Sequence, residues 1–262
     1  MKIHDGFSFL NEVDLLEVRL HELSEVTDTI TILEATTTFS GLKKPLIWES
    51  VAHRFKPFLD KIQYVVLDEP MPEVKPETLP ETESEARIYR QNDFLLRAMV
   101  KRGAPGDWFI ISDLDEIPRA SLLKECPFLP MRNRLLLDYH YYKLNWRKPV
   151  NYTPTRVVPY EMAAAMSYQE IRWPIPGSGF TDNAIFDAGW HFTYMGGRDV
   201  IRKKLKSIAA AASPGSGKFL SNLDGPVGKW MFREQLFKVP IETLPLYVQQ
   251  NEQSFRDRGM LE

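Results

Sequence analysis

The chain has 262 residues, 44% of them hydrophobic, which is enough for one domain with a sizeable core. Its 33 basic and 35 acidic residues give a formal net charge of −2, which excludes a broad basic surface for nucleic acid or anionic membranes. The single cysteine, Cys126, excludes an intramolecular disulfide and a metal site built from several thiolates.

Short apolar strands alternate with helical segments in the first half of the chain. Apolar residues at three- and four-residue intervals predict an amphipathic helix over residues 12–23, after a short apolar stretch at 7–10. We expect further strands at 29–33, 64–67 and 108–111, and helical segments between them at 45–59 and 85–101. This alternation is typical of a parallel α/β sheet.

Acidic or amide side chains follow each of the four apolar strands. The carboxyl ends of parallel strands meet at one edge of a sheet, and ligands of such sheets bind there. We therefore expect a ligand site at that edge, formed from Asn11, Glu12, Glu34, Asp68, Glu69, Asp113, Asp115 and Glu116. The acid- and proline-rich residues 68–85 predict a solvated loop.

The second half of the chain is less regular. A β-like run rich in Leu and Tyr covers residues 134–142, a helix is expected over 199–212, and a weakly helical tail begins at residue 244. Aromatic residues are frequent between these segments, so we expect this half to form the wall of a pocket.

Nothing in the sequence points to a membrane. No apolar run approaches the roughly 18 residues that would span a bilayer. The N-terminal residues also lack the apolar core of a secretory signal. We therefore expect a soluble, cytoplasmic protein without a transmembrane segment.

The strongest chemical motif is the acidic segment Ser112-Asp113-Leu114-Asp115-Glu116, which directly follows an apolar strand. Just past a strand end, the carboxylates of Asp113 and Asp115 can reach one divalent cation from the same side. Mn²⁺ and Mg²⁺ prefer such oxygen ligands and readily add the oxygens of a diphosphate. The cation would act as a Lewis acid for a departing nucleotide diphosphate. An acidic turn ahead of Pro118 is the alternative interpretation.

Five segments resemble, in the same order, those of glycosyltransferase family 17: residues 11–20, 34–41, 112–118, 142–146 and 189–197. The resemblance covers about residues 5–210. It implies an α/β fold of the GT-A type, Rossmann-like, with a mostly parallel sheet flanked by helices. It also implies a UDP-sugar donor, with N-acetylglucosamine as the expected sugar, Mn²⁺ or Mg²⁺ as cofactor, a glycan acceptor, and inversion at the anomeric carbon.

The same resemblance implies one catalytic domain over residues 1–262, in which 1–120 bind the nucleotide-sugar and 121–262 form the acceptor side and a C-terminal tail. Asp113 and Asp115 would bind the metal and the diphosphate. His191 would be a third metal ligand, and its alternative is a core histidine packed among aromatic residues. Inversion needs a general base, for which we favour Asp187 over the other second-half acids, Asp182 and Glu170.

Residues of the first half would contact the donor. Asn11, Glu12 and Glu34 stand where a fold of this type receives the nucleoside, although Asn11 is equally well placed to cap the helix that follows it. Arg87 and Asp93 lie on the helix before the fourth strand and could reach donor groups. Arg87 could instead pair with a neighbouring acid on a solvated helix face.

Three aromatic residues are candidates for stacking against a sugar ring, with core packing as the alternative for each: Tyr142, Trp146 and Trp173. The alanine run 209–212 departs from the family pattern, where a histidine-containing segment is expected. Residues 214–218 superficially resemble a phosphate-binding loop but lack its first glycine and the preceding strand. Two other functions stay open: a non-catalytic or altered sugar-nucleotide-binding protein, and a metal-dependent nucleotidyltransferase.

Overall fold

Two β-sheets with helices packed against them make up the structure, a computed structural model that describes residues 1–39, 41–68, 83–173, 181–207 and 235–262. The strands are β1 Ile3–Ser8, β2 Thr29–Ala35, β3 Ile62–Leu67, β4 Trp108–Ile111, β5 Glu116–Pro118, β6 Asn133–Leu135, β7 Leu137–Tyr141, β8 Trp146–Tyr152, β9 Arg156–Pro159, β10 Asn183–Ile185, β11 Gly189–Thr193 and β12 Phe237–Lys238. The α-helices of residues 1–207 are α1 Val13–Leu23, α2 Trp48–Val51, α3 Glu83–Val100, α4 Ala120–Glu125, α5 Tyr160–Ala165, α6 Tyr168–Arg172 and α7 Arg198–Ser207. Short helical pieces follow at Ile241–Thr243, Leu246–Gln250 and Glu252–Asp257.

The first sheet has seven strands in the order β10-β6-β9-β4-β1-β2-β3. β4, β1, β2 and β3 are parallel, as the alternating strands and helices predict. β9 runs antiparallel to both β4 and β6. The second sheet, β12-β8-β7-β11-β5, is antiparallel at every pair except β7 with β11.

The expectation of a mostly parallel sheet is therefore wrong for the molecule as a whole, because both sheets are mixed. It holds for the four strands of the first half, whose helical connections allow parallel pairing. In the second half, β7 and β8 are joined by the four residues 142–145, and a connection of that length permits only antiparallel pairing.

Helices cover both faces of the first sheet. Apolar residues of α1 pack on one face, together with Phe7 and Ile30 of the strands. α3 packs on the other face against β1 and β2. It approaches β1 so closely that a Cβ atom at Gly6 would lie 2.4 Å from the Met99 sulfur. The two helices fix the parallel strands, and hence the edge at which all of them end.

The sequence-based element boundaries differ from the structure in three places. β1 begins at Ile3 rather than near residue 7, because its buried polar residues His4 and Asp5 conceal the strand. Residues 45–59 form the short helix α2 and a 3₁₀ segment, Ala52–Phe58, rather than one helix. The expected β-run 134–142 is divided between β6 and β7.

Some sequence-based expectations lie outside the described residues. These are the greater part of the solvated loop 68–85, the alanine run at 209–212 and the glycine-containing segment 214–218. Within the part of the chain that the structure describes, no helix is long and apolar enough to cross a membrane.

A buried histidine makes the stability of the fold depend on pH. His140 lies on β7 beside Phe192, and burial lowers its pKa to about 3. The unfolded chain binds a proton at this residue below about pH 6.5, whereas the folded protein does not at pH 5. We therefore expect His140 to reduce the free energy of unfolding by about 2 kcal/mol between pH 6.5 and 5.

Urea denaturation at pH 7.5 and 5.0 measures this contribution. His140→Phe should lose about 2 kcal/mol less than the wild type between these two pH values. His53→Gln, at an exposed histidine, should lose as much as the wild type. An equal loss in the wild type and His140→Phe would contradict the assignment.

Candidate active site

A cleft of about 400 Å³ opens where the parallel strands β1, β2 and β4 end. This volume is in the range of small-molecule sites. One side is lined by residues after β1 and β2 and by α3, and the other by aromatic residues of β7, β8 and β11. Between them lies the segment 112–116, here called the acidic loop; the lining includes Phe9, Glu12, Gln91, Asn92, Asp113, Asp115, Tyr139, Tyr152, Arg172, Trp173, His191 and Lys204.

A buried arginine shapes the acidic loop. Arg19 of α1 is fully buried and pairs with Asp5 of β1, its Nε lying 2.9 Å from Oδ2. The same guanidinium donates hydrogen bonds of 2.7–3.2 Å to three main-chain carbonyls of the loop, those of Asp113, Leu114 and Glu116. These carbonyls are thus turned towards Arg19, while the side chains of Asp113 and Asp115 line the cleft.

Asp115 lies between two basic side chains. Its carboxylate is 2.6 Å from Nζ of Lys204 and 3.6 Å from Nε2 of His191. Burial raises the pKa of Asp115, but the charges of Lys204 and His191 outweigh this effect and hold that pKa well below its usual range. Asp115 is therefore a carboxylate at any physiological pH.

His191 is held by two tyrosines. Its ring stacks on Tyr139 at 4.8 Å between centroids, and the ring of Tyr152 lies 3.8 Å away on a tilted plane. The alternative interpretation, a histidine packed among aromatic residues, is thus correct for one part of the ring environment, but His191 also lines the cleft. Within the described residues its Nδ1 atom is buried without a hydrogen-bond partner.

Arg172 connects the remaining acids of the loop. Its guanidinium lies 2.8 Å from the Asp113 carboxylate and also contacts Glu116, whose second oxygen accepts a 2.6 Å hydrogen bond from Thr155. Burial raises the pKa of Glu116, and Arg172 opposes this shift. Asp113 remains 52% exposed at the side chain, so it is the accessible acid of the pair.

The residues fit a divalent cation. Asp115, Glu116 and His191 each offer one ligand atom, and these atoms lie within 4.8 Å of one another. Carboxylate oxygens suit Mg²⁺ and Mn²⁺, and an imidazole nitrogen suits the transition metals, so this set of ligands can hold a divalent cation. The sequence-based metal ligands were Asp113, Asp115 and His191; Glu116 was expected at the same edge of the sheet but was not assigned to the metal.

The three residues expected at the nucleoside occupy different surroundings. Glu12 lines the cleft, 3.5 Å from Lys204. Asn11 lies outside the lining, and the helix begins after Glu12 without a side-chain cap, so the capping alternative for Asn11 is wrong. Glu34 is fully buried and also lies outside the lining. Its carboxylate accepts hydrogen bonds from the main-chain N–H groups of residues 47 and 48 and from Lys44 and Tyr64.

Arg87 and Asp93 flank the lining face of α3 rather than forming it. Arg87 lies against Gly41, where an added Cβ would come within 2.8 Å of its guanidinium carbon. Asp93 accepts a 2.7 Å hydrogen bond from the N–H of Tyr168 and so joins α3 to α6; burial raises its pKa. Residues 88, 91 and 92 line the cleft instead, and their helical spacing is a signal that sequence reasoning could have used.

The structure does not bring the favoured general base to the cleft. Asp187 follows β10 in a left-handed conformation with φ of 50°, is 79% exposed at its side chain, and pairs with Arg119 at 2.8 Å. Asp182 is paired with Arg132 and Arg156. Glu170 forms a capping box at the start of α6. None of these three acids is among the described residues that line the cleft.

The aromatic candidates also separate. Trp173 lines the cleft and is 56% exposed, as a stacking platform would be. Tyr142 is buried, Trp146 is partly buried against the same aromatic cluster, and neither lines the cleft. Sequence reasoning missed the residues that organise the site: Arg19, Tyr139, Tyr152, Arg172 and Lys204.

The fold and the cleft together define a mixed α/β protein with an acidic ligand site at the carboxyl edge of its parallel strands. A sequence profile described as glycosyltransferase family 17 matches residues 1–207. The chain belongs to this family, as its sequence segments indicate.

Curated relatives agree with this assignment over part of the chain. The beta-1,4-mannosyl-glycoprotein 4-beta-N-acetylglucosaminyltransferases of Homo sapiens, Rattus norvegicus and Mus musculus are 34%, 31% and 30% identical to it over 119 residues. The matched segment covers 45% of this chain and only 22% of the length of each relative.

The contacts of Arg19 predict that its loss destabilises the protein. Arg19→Met leaves Asp5 buried without its partner and removes the guanidinium donor from three loop carbonyls, which should lower the free energy of unfolding by about 3–5 kcal/mol. The control Arg54→Met removes an exposed arginine of the 3₁₀ segment Ala52–Phe58, which pairs with Glu17 of α1. This change should lower the free energy of unfolding by about 1 kcal/mol or less. Urea denaturation at pH 7.5 measures both, and equal effects would contradict a special role for Arg19.

Proposed function

We propose that this protein is a metal-dependent glycosyltransferase of the GT-A type, which transfers N-acetylglucosamine from a UDP-sugar to a glycan hydroxyl with inversion. The observation that carries the proposal is the pairing of Asp115 with His191 in a cleft at the carboxyl edge of the parallel strands, in a chain of glycosyltransferase family 17. The names of the relatives favour N-acetylglucosamine as the sugar and a mannosyl glycoprotein as the acceptor.

The nucleoside would lie on the side of the cleft formed by residues 1–120. Phe9 is buried beneath this side of the cleft, and Gln91 and Asn92 of α3 offer amide donors and acceptors for a base or ribose. Glu12 provides a carboxylate for the ribose hydroxyls. Glu34 contributes indirectly, because it accepts hydrogen bonds from the main-chain N–H groups of residues 47 and 48 and from the side chain of Lys44, which lines this part of the cleft.

Asp115 and His191 would hold the divalent cation, with Asp113 beside them at the exposed side of the loop. A bound Mn²⁺ or Mg²⁺ would neutralise charge on the departing diphosphate. Arg19 keeps the loop carbonyls turned away, Arg172 fixes Asp113, and the two tyrosines orient His191. The protein thereby holds the metal-binding side chains Asp113, Asp115 and His191 in one arrangement before any ligand binds.

The acceptor would occupy the side of the cleft formed by residues 121–262. Trp173 provides an exposed ring on which a sugar can stack. A group in the cleft must accept the proton of the acceptor hydroxyl. Asp187 has no place in this proposal since it lies outside the lining; the described carboxylates that line the cleft are Glu12, Asp113 and Asp115.

Substitution of Asp115 tests the proposal. Asp115→Asn should lower the release of UDP from UDP-N-acetylglucosamine, measured with Mn²⁺ and mannose-containing glycan acceptors, by about a hundredfold or more. Asp257→Asn, at an exposed aspartate of the C-terminal helix Glu252–Asp257, should retain wild-type activity. Circular dichroism checks that both variants are folded. Removal of the metal with a chelator should abolish wild-type activity, and added Mn²⁺ should restore it.

The same assay separates the other functions. Release of pyrophosphate instead of UDP would indicate a nucleotidyltransferase. Binding of the UDP-sugar without product in any metal or acceptor would indicate a non-catalytic module. Full activity in a folded Asp115→Asn variant would contradict the proposed site.

A further inference from the structure

α7 is held at the side of the cleft by an aromatic cluster. β11 leads into the helix through Gly196 and Gly197, whose φ angles of 92° and 85° make the sharp turn possible. Ile201 of α7 is fully buried against Tyr141 and Tyr142. This anchor places the next turn of the helix, which carries Lys204, over the acidic loop.

Lys204 directs its ammonium group into the cleft. Nζ lies 2.6 Å from Oδ2 of Asp115 and 3.5 Å from Oε1 of Glu12, and 17% of the side chain is exposed. Burial lowers the pKa of Lys204, but the charges of Asp115 and Glu12 outweigh this effect and raise it above its usual value. The ammonium therefore carries its charge at the carboxylate that also belongs to the candidate metal group.

Two cations cannot share Asp115 without cost. A divalent ion bound to this carboxylate would lie close to the Lys204 ammonium, because that ammonium is only 2.6 Å from Oδ2, and like charges repel strongly in a partly buried site. Lysine has a flexible four-carbon stem and binds phosphate as a point charge. The nearest new partner for a displaced ammonium in this cleft would be the diphosphate that accompanies the metal ion.

We propose that Lys204 is a diphosphate-binding residue that occupies Asp115 while the cleft is empty and moves to the nucleotide diphosphate when a divalent cation takes Asp115. The inference rests on the proposed function, since it requires a nucleotide diphosphate as ligand. It implies that the metal ion binds weakly by itself and that metal and nucleotide strengthen each other's binding.

The test measures binding rather than turnover, by titration calorimetry with Mn²⁺ alone and with UDP at saturating Mn²⁺. In Lys204→Met, Mn²⁺ alone should bind about tenfold more tightly, because one charge-assisted hydrogen bond no longer competes for Asp115. UDP should bind about tenfold more weakly, because its diphosphate loses a partner of the same kind. Uridine, which has no diphosphate, should bind Lys204→Met and wild type equally.

Two further variants serve as controls. Arg202→Gln removes a positive charge from the exposed face of α7, where Arg202 pairs with Asp199, and should change each affinity by less than about twofold. Lys204→Arg keeps the charge and should retain most of the UDP affinity. Thermal unfolding checks that each variant is folded.

The opposite signs distinguish the proposal from a structural role. If Lys204 only supports the fold of the loop, Mn²⁺ and UDP should both bind more weakly to Lys204→Met, and this result would overturn the proposal. Unchanged affinities in Lys204→Met would overturn it as well. Absence of UDP binding to the wild type at any Mn²⁺ concentration would instead refute the proposed function and, with it, this inference.

Discussion

The geometry of the cleft depends on one buried ion pair. Asp5 and Arg19 come from adjacent elements, the first strand and the first helix, and neither is accessible to solvent. Such a pair is costly to bury unless every donor and acceptor finds a partner. Arg19 meets that condition by donating to carbonyls of the acidic loop, so the requirement for hydrogen bonds in the core determines the conformation of the loop.

This constraint explains why the loop can present its acids without a bound ligand. A turn after a buried strand has carbonyl oxygens and carboxylates that would repel one another if they faced the same side. Arg19 attracts the carbonyls to one side, and Arg172 attracts Asp113 and Glu116 from the other. Asp115 is left facing His191, so the arrangement results from two fixed guanidinium groups rather than from the acids themselves.

Part of this site was predictable from the sequence. An apolar strand followed at once by Asp113 and Asp115 places carboxylates at the carboxyl edge of a parallel sheet, and both acids line the cleft. The same reasoning failed for Glu34, because side chains alternate along a strand. Leu33 and Ala35 face the cleft, so Glu34 faces the opposite side.

Other features depend on contacts that the sequence does not encode locally. Arg19 resembles a surface residue of an amphipathic helix, yet it stands four residues from both Leu15 and Leu23 on the buried face. An opposite charge within the neighbouring strand, at Asp5, was the signal for a buried pair. The exposed position of Asp187 and the order of the second sheet had no comparable signal, since both follow from pairing between distant strands.

The charge balance of the whole chain conceals a local excess of negative charge. Four carboxylates, those of Glu12, Asp113, Asp115 and Glu116, stand against three basic partners, Arg172, Lys204 and His191. The carboxylates outnumber these basic groups and repel a nucleotide diphosphate, and a divalent cation would offset that repulsion. The anionic sugar donor and its metal ion would therefore have to bind together. Lys204 contacts both Asp115 and Glu12, so it lies where the metal ion would replace an ammonium group as the partner of Asp115.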